Sequence, residues 1–424
     1  MNRKLLLASA SVAVAALLAA CSGGGGSGSA DSGKPVTITY GIWAGTQTPA
    51  MQEIADAFHK ENPNITVKLE TRPYPEFWST LQTGAAGGTA PDAFWMLAQQ
   101  IRPYAAGGQL LDISDAVKAA NVDLKNYPQA VLDLYDQGDG KLYGLPKDVD
   151  TNAVWFNKAL FDKAGVPYPS ANWTWADFRA TAKKLTNPAA GTWGVAAPLD
   201  YQSGYYNSIF QAGGKVISDD GKSALIDSPE AQAGIKFWTD LQADKSSPTL
   251  QQLSDTEAET MFEQGKVAMY VSGAYWALKL YQNEAIRAKV DVAPLPTGVK
   301  KATVTSGIEN VGYAGTKHPE ETKKFLLFAS GQEAANIQAK TGAVLPAYQG
   351  TEKTWMKAMP EFKNLQIFID AKAYSVPLPV QGNAAEWQGL QAKYLTPAWD
   401  GKVSVAEATA QYADAIDKVL AENG

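Results

Sequence analysis

The chain has 424 residues, a formal net charge of −6 and one cysteine. A single cysteine excludes disulfide bonds within the chain and thiolate metal cages, and a mildly acidic chain without a basic run is poorly suited to nucleic acid. The length allows two domains, each with an apolar core of its own.

Residues 1–21 have the pattern of an export signal. Arg3 and Lys4 precede an apolar run that is short for a membrane span and ends in the sequence LAAC at Cys21. This ending is typical of a bacterial lipobox, so we expect lipid on Cys21; the alternative is a plain signal peptide with a chance cysteine. Residues 22–34 are rich in Gly and Ser and predict a flexible tether. The working part is therefore expected outside the cytoplasm, anchored by lipid to the outer face of the cell membrane.

The first folded elements predict a parallel sheet. The stretch VTITYGI alternates as a strand does, PAMQEIADAFHKENPN has helical spacing, and ITVKLE alternates again. Strand, helix and strand in this order form a βαβ unit, in which ligands lie beyond the carboxyl ends of the strands. Trp43 follows the first strand, and Trp95 is expected at the end of a later strand, DAFWM. The two rings should therefore share one edge of the sheet.

The same alternation continues beyond residue 150. Thr174 with Asp177 predicts a capped helix start, and Ser228 before Pro229 predicts another. WGVAAP, KVAMYVSG and KVDVAP read as strands, and late helices are expected at HPEETKKFLLFAS and SVAEATAQYADAIDKVL. No phosphate-binding P-loop is present in the sequence, so we expect no ATP hydrolysis by this chain.

Several fragments together resemble one protein family. KENPNITVKLE, GGTAPDAFWM, GKLYGLPKDVDTNAVWFNK, NWTWADF, MFEQGKVAMYVSGAYW, VDVAPLPTG and KTGAVLPAY occur in this order. They resemble the sugar-type, family 1 solute-binding lipoproteins of bacterial ABC importers, relatives of maltose-binding protein. The resemblance covers residues 35–424.

The resemblance implies an α/β fold with two lobes of the periplasmic-binding-protein type II class, in which mixed sheets with flanking helices enclose a hinged cleft. Lobe one would comprise residues 35–150 and 305–340. Lobe two would comprise residues 151–304 and 341–424. The first crossing between lobes would fall near Asp150.

A sugar site needs flat rings that stack on C–H faces and polar groups that bind hydroxyls. The strand-edge argument selects Trp43 and Trp95, and a loop-to-helix entry selects Tyr206. The resemblance adds Trp276, with Tyr275 as the open alternative, and Trp387. Five other tryptophans are expected to pack in the interior: Trp173, Trp175, Trp193, Trp238 and Trp399.

Carboxylates and amides complete the predicted site. Asp148 and Asp150 are two positions apart on an extended segment, and Asp150 matches an acidic ligand contact of the family. Gln47, Gln99 and Glu309 are the other predicted contacts.

Three functions remain open at this stage. The first is a receptor, with no enzymatic activity, that captures a sugar, preferably an oligosaccharide, and delivers it to the permease of an ABC importer. The second is a lipid-anchored glycoside hydrolase that uses Asp148 and Asp150 as its two carboxyl groups. The third is a receptor for a non-sugar cargo. We expect a monomer without cofactor, metal or catalytic residues, because the two histidines are isolated and no metal motif is present in the sequence.

Overall fold

The computed structural model describes residues 34–422. The predicted signal peptide, Cys21 and residues 22–33 of the predicted tether lie outside the described residues. Between residues 34 and 422, no helix is both long enough and apolar enough to cross a lipid bilayer.

Strands and helices alternate along most of the described chain. The strands are β1 Val36–Ile42, β2 Ile65–Thr71, β3 Ala93–Leu97, β4 Gly144–Pro146, β5 Asp150–Asn157, β6 Trp193–Val195, β7 Val267–Gly273, β8 Val290–Ala293, β9 Thr303–Ser306, β10 Ile308–Gly312 and β11 Ser375–Pro377. The helices are α1 Thr48–Glu61, α2 Tyr74–Gly87, α3 Ile101–Ala106, α4 Ser114–Ala119, α5 Gln129–Tyr135, α6 Lys158–Ala164, α7 Trp175–Leu185, α8 Tyr206–Gln211, α9 Pro229–Ala243, α10 Leu250–Asp255, α11 Ala258–Glu263, α12 Ala277–Gln282, α13 Pro319–Ala329, α14 Gln332–Thr341, α15 Glu352–Lys357, α16 Gln366–Asp370, α17 Ala384–Gly389, α18 Gln391–Trp399 and α19 Val405–Glu422.

The first sheet has the strand order β2-β1-β3-β10-β4. β1 lies parallel to β2 and β3, as the βαβ pattern predicts, whereas β10 lies antiparallel to β3 and β4. Helix α1 covers the sheet with Met51, Ile54 and Phe58, which are buried because spacings of three and four residues place them on one face. The sheet is therefore mixed, and its parallel strands end at one edge.

The second sheet has the order β11-β9-β5-β7-β6, and β8 also pairs with β5. All eight residues of β5 are buried, as expected for a central strand covered on both faces. Two predicted helix starts are confirmed. Thr174 and Asp177 form a reciprocal capping box at α7, and the Ser228 side chain accepts a hydrogen bond from the Ala231 amide at α9. Two mixed sheets with flanking helices confirm the predicted fold class.

The chain passes between the sheets at segments that bond to one another. The Lys147 amide donates to the Ile308 carbonyl at 2.8 Å, and the Val149 amide donates to the Leu345 carbonyl at 3.1 Å. The predicted lobe boundaries stay a prediction. We expect a hinge at these bonded segments, because they connect the two sheets and must change conformation when one sheet rotates against the other.

Candidate functional site

An aromatic cluster lies at the carboxyl end of β1. Trp43 follows the strand directly, and its ring centroid is 5.8 Å from that of Tyr74, 5.6 Å from that of Trp78 and 5.0 Å from that of Trp95. Trp43 and Trp78 are half-buried, whereas Tyr74 exposes 47% of its surface. We call Trp43, Tyr74 and Trp78 the first wall. It offers ring surface that a flat, apolar ligand face can contact.

Trp95 differs from its expected position at a strand end. β3 continues to Leu97, and Trp95 lies in the middle of the strand with none of its surface exposed. Its indole nitrogen donates to the Tyr40 hydroxyl at 2.5 Å, and the Lys147 ammonium lies 4.3 Å from its ring centroid. The Trp95 ring therefore packs beneath the first wall and has no exposed face that a ligand could contact.

The Lys147 ammonium is the centre of a buried polar group. It donates to the Asp148 carboxylate at 2.7 Å and to the Gln47 side-chain oxygen at 3.2 Å, and its side chain is 1% exposed. The other Asp148 oxygen accepts from the Ile308 amide at 2.7 Å. Burial lowers the pKa of Lys147, against the opposing effect of Asp148. Gln47 and Asp148 thus come together as predicted, but both are engaged by protein groups.

The Asp150 carboxylate is engaged as well. One oxygen accepts from the Ala274 amide at 2.6 Å and from the Thr151 amide at 3.1 Å. Burial raises the pKa of Asp150 well above its usual range, the nearby Asp148 raises it further, and the amide bonds oppose this. A hydrolase of the kind considered above needs two carboxyl groups directed at the scissile bond. The geometry of Asp148 and Asp150 gives that function no support.

A second group of polar and aromatic side chains follows β6. The Asp200 side chain accepts from the Ser203 amide at 2.6 Å and so fixes the turn Tyr201–Tyr205. Burial raises the pKa of Asp200, and three backbone amides of this turn oppose the rise. Predicted contact Gln99 lies here: its side chain donates to the Tyr201 hydroxyl at 3.2 Å. Asp200 and Tyr201 are only partly buried.

Tyr206 belongs to the interior beneath this turn. Its ring lies 5.4 Å from that of Tyr201, and none of its surface is exposed. Tyr201, five residues earlier, is the tyrosine at the surface.

Tyr275, and not Trp276, faces open space. Tyr275 exposes 41% of its surface, whereas Trp276 exposes 2% and packs 5.1 Å from Tyr270 and 5.4 Å from Phe262. Burial is the main cause of the raised pKa of Tyr275; the Glu259 carboxylate raises it next, followed by those of Asp200 and Asp150, and the Ser272 hydrogen bond opposes them. We call Asp200, Tyr201 and Tyr275 the second wall.

The two walls meet. Burial raises the pKa of Tyr74 although much of the ring is exposed, and the Asp200 carboxylate raises it further. Burial also raises the pKa of Tyr201, with Tyr74 as the next contribution. Tyr74 comes from the first sheet's side and Asp200 and Tyr201 from the second, so the site is formed by both sheets.

Two predicted contacts are buried. The Glu309 side chain is buried against Gly144, where an added Cβ would lie 2.9 Å from its carboxylate, and burial raises its pKa well above the usual range. Trp387 is fully buried, and its indole nitrogen donates to the Gln381 carbonyl at 2.9 Å. Both side chains occupy the protein interior.

The sequence reasoning did not select Tyr74, Trp78, Asp200 or Tyr201, which follows Asp200 directly. Tyr74 and Trp78 open α2 just beyond β2, and Asp200 lies five residues beyond β6. The rule that selected Trp43, a position after the carboxyl end of a strand, would have selected all four.

Two further observations concern other possible sites in the protein. In the part of the chain that the structure describes, no group of three or more His, Cys, Asp or Glu residues could hold a metal ion. A groove of about 900 Å³ lies between α9, the start of α10 and the α18–α19 connection, and it includes no residue of either wall.

Comparison with known proteins places these features in context. The family model described as bacterial extracellular solute-binding protein matches residues 44–336. The maltodextrin-binding protein MdxE of Bacillus subtilis is 25% identical over 375 residues, covering 86% of this chain and 85% of MdxE. The arabinooligosaccharide-binding protein of the same organism is 24% identical over 321 residues, or 73% of each chain. The ABC substrate-binding protein Lmo0181 of Listeria monocytogenes, solved in complex with cycloalternan, is 28% identical with a TM-score of 0.85, covering 92% of this chain and all of Lmo0181.

Proposed function

Because this chain belongs to the bacterial extracellular solute-binding protein family, we propose that it is a receptor that binds an oligosaccharide and delivers it to the permease of an ABC importer. The observation that carries the proposal is the meeting of the two walls. The Gln99 side chain, which follows β3 of the first sheet, bonds there to the Tyr201 hydroxyl of the second wall at 3.2 Å. The pKa values of Tyr74, Tyr201 and Tyr275 are all raised, by burial first and then by nearby groups that include Asp200.

The walls match the two chemical faces of a sugar. Trp43 and Tyr74 on one side and Tyr201 and Tyr275 on the other supply flat rings for the C–H faces of pyranose or furanose units. Asp200 retains acceptor capacity for hydroxyl groups, since a carboxylate has more acceptor sites than its backbone bonds use. Of the residues predicted from sequence, Trp43 is a direct contact in this proposal. Gln47, Trp95, Gln99, Asp148 and Asp150 act as its support.

An oligosaccharide fits better than a single sugar. Four accessible rings give more stacking surface than one sugar unit can cover. The relatives named above are described as binding maltodextrin, arabinooligosaccharide and cycloalternan. An anionic cargo is a weaker fit, because Lys147 beneath the first wall is buried and engaged by Asp148, and Arg72 just after β2 lies 3.7 Å from the Glu70 carboxylate.

Binding without chemistry completes the proposal. The ligand closes the cleft by binding the closed form better than the open one, and no step alters a bond of the sugar. We further propose a monomer that is anchored through lipid on Cys21 and the tether 22–34 to the outer face of the cell membrane. The anchor keeps the receptor near its permease.

A thermal-shift screen tests the proposal. A ligand that binds only the folded state raises the melting temperature, by an amount that grows with its concentration relative to Kd. The panel contains glucose, arabinose and galactose with maltotriose, arabinotriose and galactotriose. We expect at least one trisaccharide to raise the melting temperature more than its monomer does. No shift with any member would contradict an oligosaccharide receptor of these chemistries.

A matched variant ties any shift to the walls. Tyr168 exposes 44% of its surface, close to the 47% of Tyr74, but it belongs to neither wall. Tyr168→Ala should leave the sugar-induced shift unchanged, whereas Tyr74→Ala should reduce it. Equal reduction in both variants would separate binding from the proposed site.

A further inference from the structure

We propose that Asp150 is a positioning residue that directs the Tyr275 ring toward the ligand, and that it does not itself bind the sugar. The inference rests on the proposed function, because it gives Tyr275 a ligand to contact. It differs from the expectation that an acidic group at this position contacts the ligand directly.

Hydrogen bonds commit the Asp150 carboxylate to the turn that carries Tyr275. The Ala274 amide donates to it at 2.6 Å, and the neighbouring Tyr275 amide lies close enough to lower the pKa of the carboxyl group. Residues Ala274–Trp276 form a short 3-10 turn that begins directly after β7. Asp150, at the start of β5, thus satisfies the free amides of a turn 124 positions away in sequence. Its removal would leave these amides without their acceptor.

The space around Gly273 shows how tightly this arrangement is packed. A Cβ added to Gly273 would lie 2.7 Å from the Asp150 Cγ and 2.7 Å from the Tyr275 Cδ1. The backbone of Gly273, at φ −82°, is open to any residue, so the need for glycine here is one of space. The carboxyl group and the tyrosine ring occupy the volume that a side chain would need. Asp150 and the Tyr275 ring therefore both border Gly273, and a larger residue there would displace one or the other.

The turn decides which of two adjacent rings faces the ligand. Trp276 is held inside by Trp155, Phe262 and Tyr270, and Tyr275 is left on the accessible side. Asp150 is itself held by β9, because the Thr305 hydroxyl donates to the Asp150 carbonyl at 2.9 Å. The carboxylate therefore sets the Tyr275 ring in a defined place relative to the passage between the two sheets.

A double-mutant cycle separates positioning from contact. Asp150→Ala, Tyr275→Ala and the double variant are each titrated with maltotriose, arabinotriose and galactotriose. We expect Tyr275→Ala to weaken binding of the preferred trisaccharide at least tenfold, and the double variant to bind within about twofold of Tyr275→Ala. Asp150→Asn, which keeps an acceptor oxygen for the amides, should recover most of the affinity lost in Asp150→Ala. Multiplicative losses in the double variant would overturn the inference and make Asp150 a direct contact.

A second measurement needs no ligand. In Asp150→Ala, or in Asp150→Leu should the alanine variant fail to fold, hydrogen exchange is compared with that of the wild type. We expect faster exchange for the amides of Ala274 and Tyr275 and no change in the centre of β7. Unchanged exchange at both amides would overturn the positioning role. If no trisaccharide binds the wild type, the proposed function fails while exchange still decides this inference.

Discussion

The Gln99 side chain joins the two sheets by donating a hydrogen bond to the Tyr201 hydroxyl at 3.2 Å. Gln99 follows β3 of the first sheet, and Tyr201 follows β6 of the second. The Gln99 carbonyl also accepts from the Ala385 amide at 3.1 Å, at the start of α17. One residue therefore bonds to the facing side through both its side chain and its backbone, directly beside the walls of the proposed site.

Replacing Gln99 by Ala should weaken oligosaccharide binding three- to tenfold. The lost hydrogen bond contributes about 1 kcal/mol. Its loss destabilises the arrangement in which Gln99 and Tyr201 join the two sheets. Isothermal titration calorimetry with the preferred trisaccharide measures the change. Tyr201→Phe removes the same bond and keeps the ring, so it serves as the matched control. If Gln99 acts through Tyr201, the double variant should lose little more than either single variant; independent losses would contradict the bond's role.

Replacing Trp95 by Ala should lower the free energy of unfolding by about 3 to 5 kcal/mol, because a fully buried indole leaves a large cavity. The substitution also removes the ring over which the Lys147 ammonium lies. Urea denaturation followed by circular dichroism checks the value. A variant as stable as the wild type would show that Trp95 is not the support that its position indicates.

Replacing Tyr74 by Ala should leave the stability of the protein almost unchanged and weaken trisaccharide binding. The exposed ring contributes little to the core, so the free energy of unfolding should change by less than about 1 kcal/mol. Trisaccharide affinity should fall at least tenfold, or about 1.4 kcal/mol, because the ring is part of the first wall. Calorimetry and denaturation on the same preparation check both parts. Full affinity in the Tyr74 variant would remove this ring from the site.

Glu309→Gln should remove part of the pH dependence of stability. Burial raises the pKa of Glu309 in the folded protein, so the folded chain keeps its proton at pH values where the unfolded chain has lost it. This group's contribution to stability is therefore present below the unfolded pKa, near 4.3, and declines as pH rises toward the folded value, by at most about 1.4 kcal/mol per pH unit.

Melting temperatures of wild type and Glu309→Gln at pH 5 and pH 8 test this sign. The variant's advantage over the wild type should grow from pH 5 to pH 8, since glutamine has no proton to lose. A difference between the two proteins that stays constant with pH would contradict a neutral, buried Glu309. The difference isolates this group, because Asp150 and the other buried acids are present in both proteins.

Local patterns predicted the fold well. The alternation in β1 and β2, the helical spacing of α1 and the capping box at Thr174 depend on residues close in sequence, and each is present in the structure. The resemblance added the mixed, two-sheet arrangement, which no local pattern contains. The antiparallel insertion of β10 between β3 and β4 is an example, because it joins distant parts of the chain.

The sequence could not show which way the candidate side chains face, because facing direction depends on long-range contacts. Trp276 and Tyr275 are neighbours, and their roles are separated by the packing of Trp276 against Phe262 and Tyr270. The hydrogen-bond partners of the two carboxylates also come from distant parts of the sequence. Asp150 is bonded by the Ala274 amide 124 positions away and Asp148 by the Ile308 amide 160 positions away. Spacing alone could not show that protein donors already occupy them.

The most direct test of the account is calorimetric titration of the purified protein with maltotriose, arabinotriose and galactotriose, followed by analysis of the recovered sugar. The account predicts saturable binding of at least one trisaccharide with a Kd in the micromolar range or below, and recovery of that sugar intact. Absence of binding heat for all three, or release of new reducing ends, would contradict a receptor that holds an oligosaccharide unchanged.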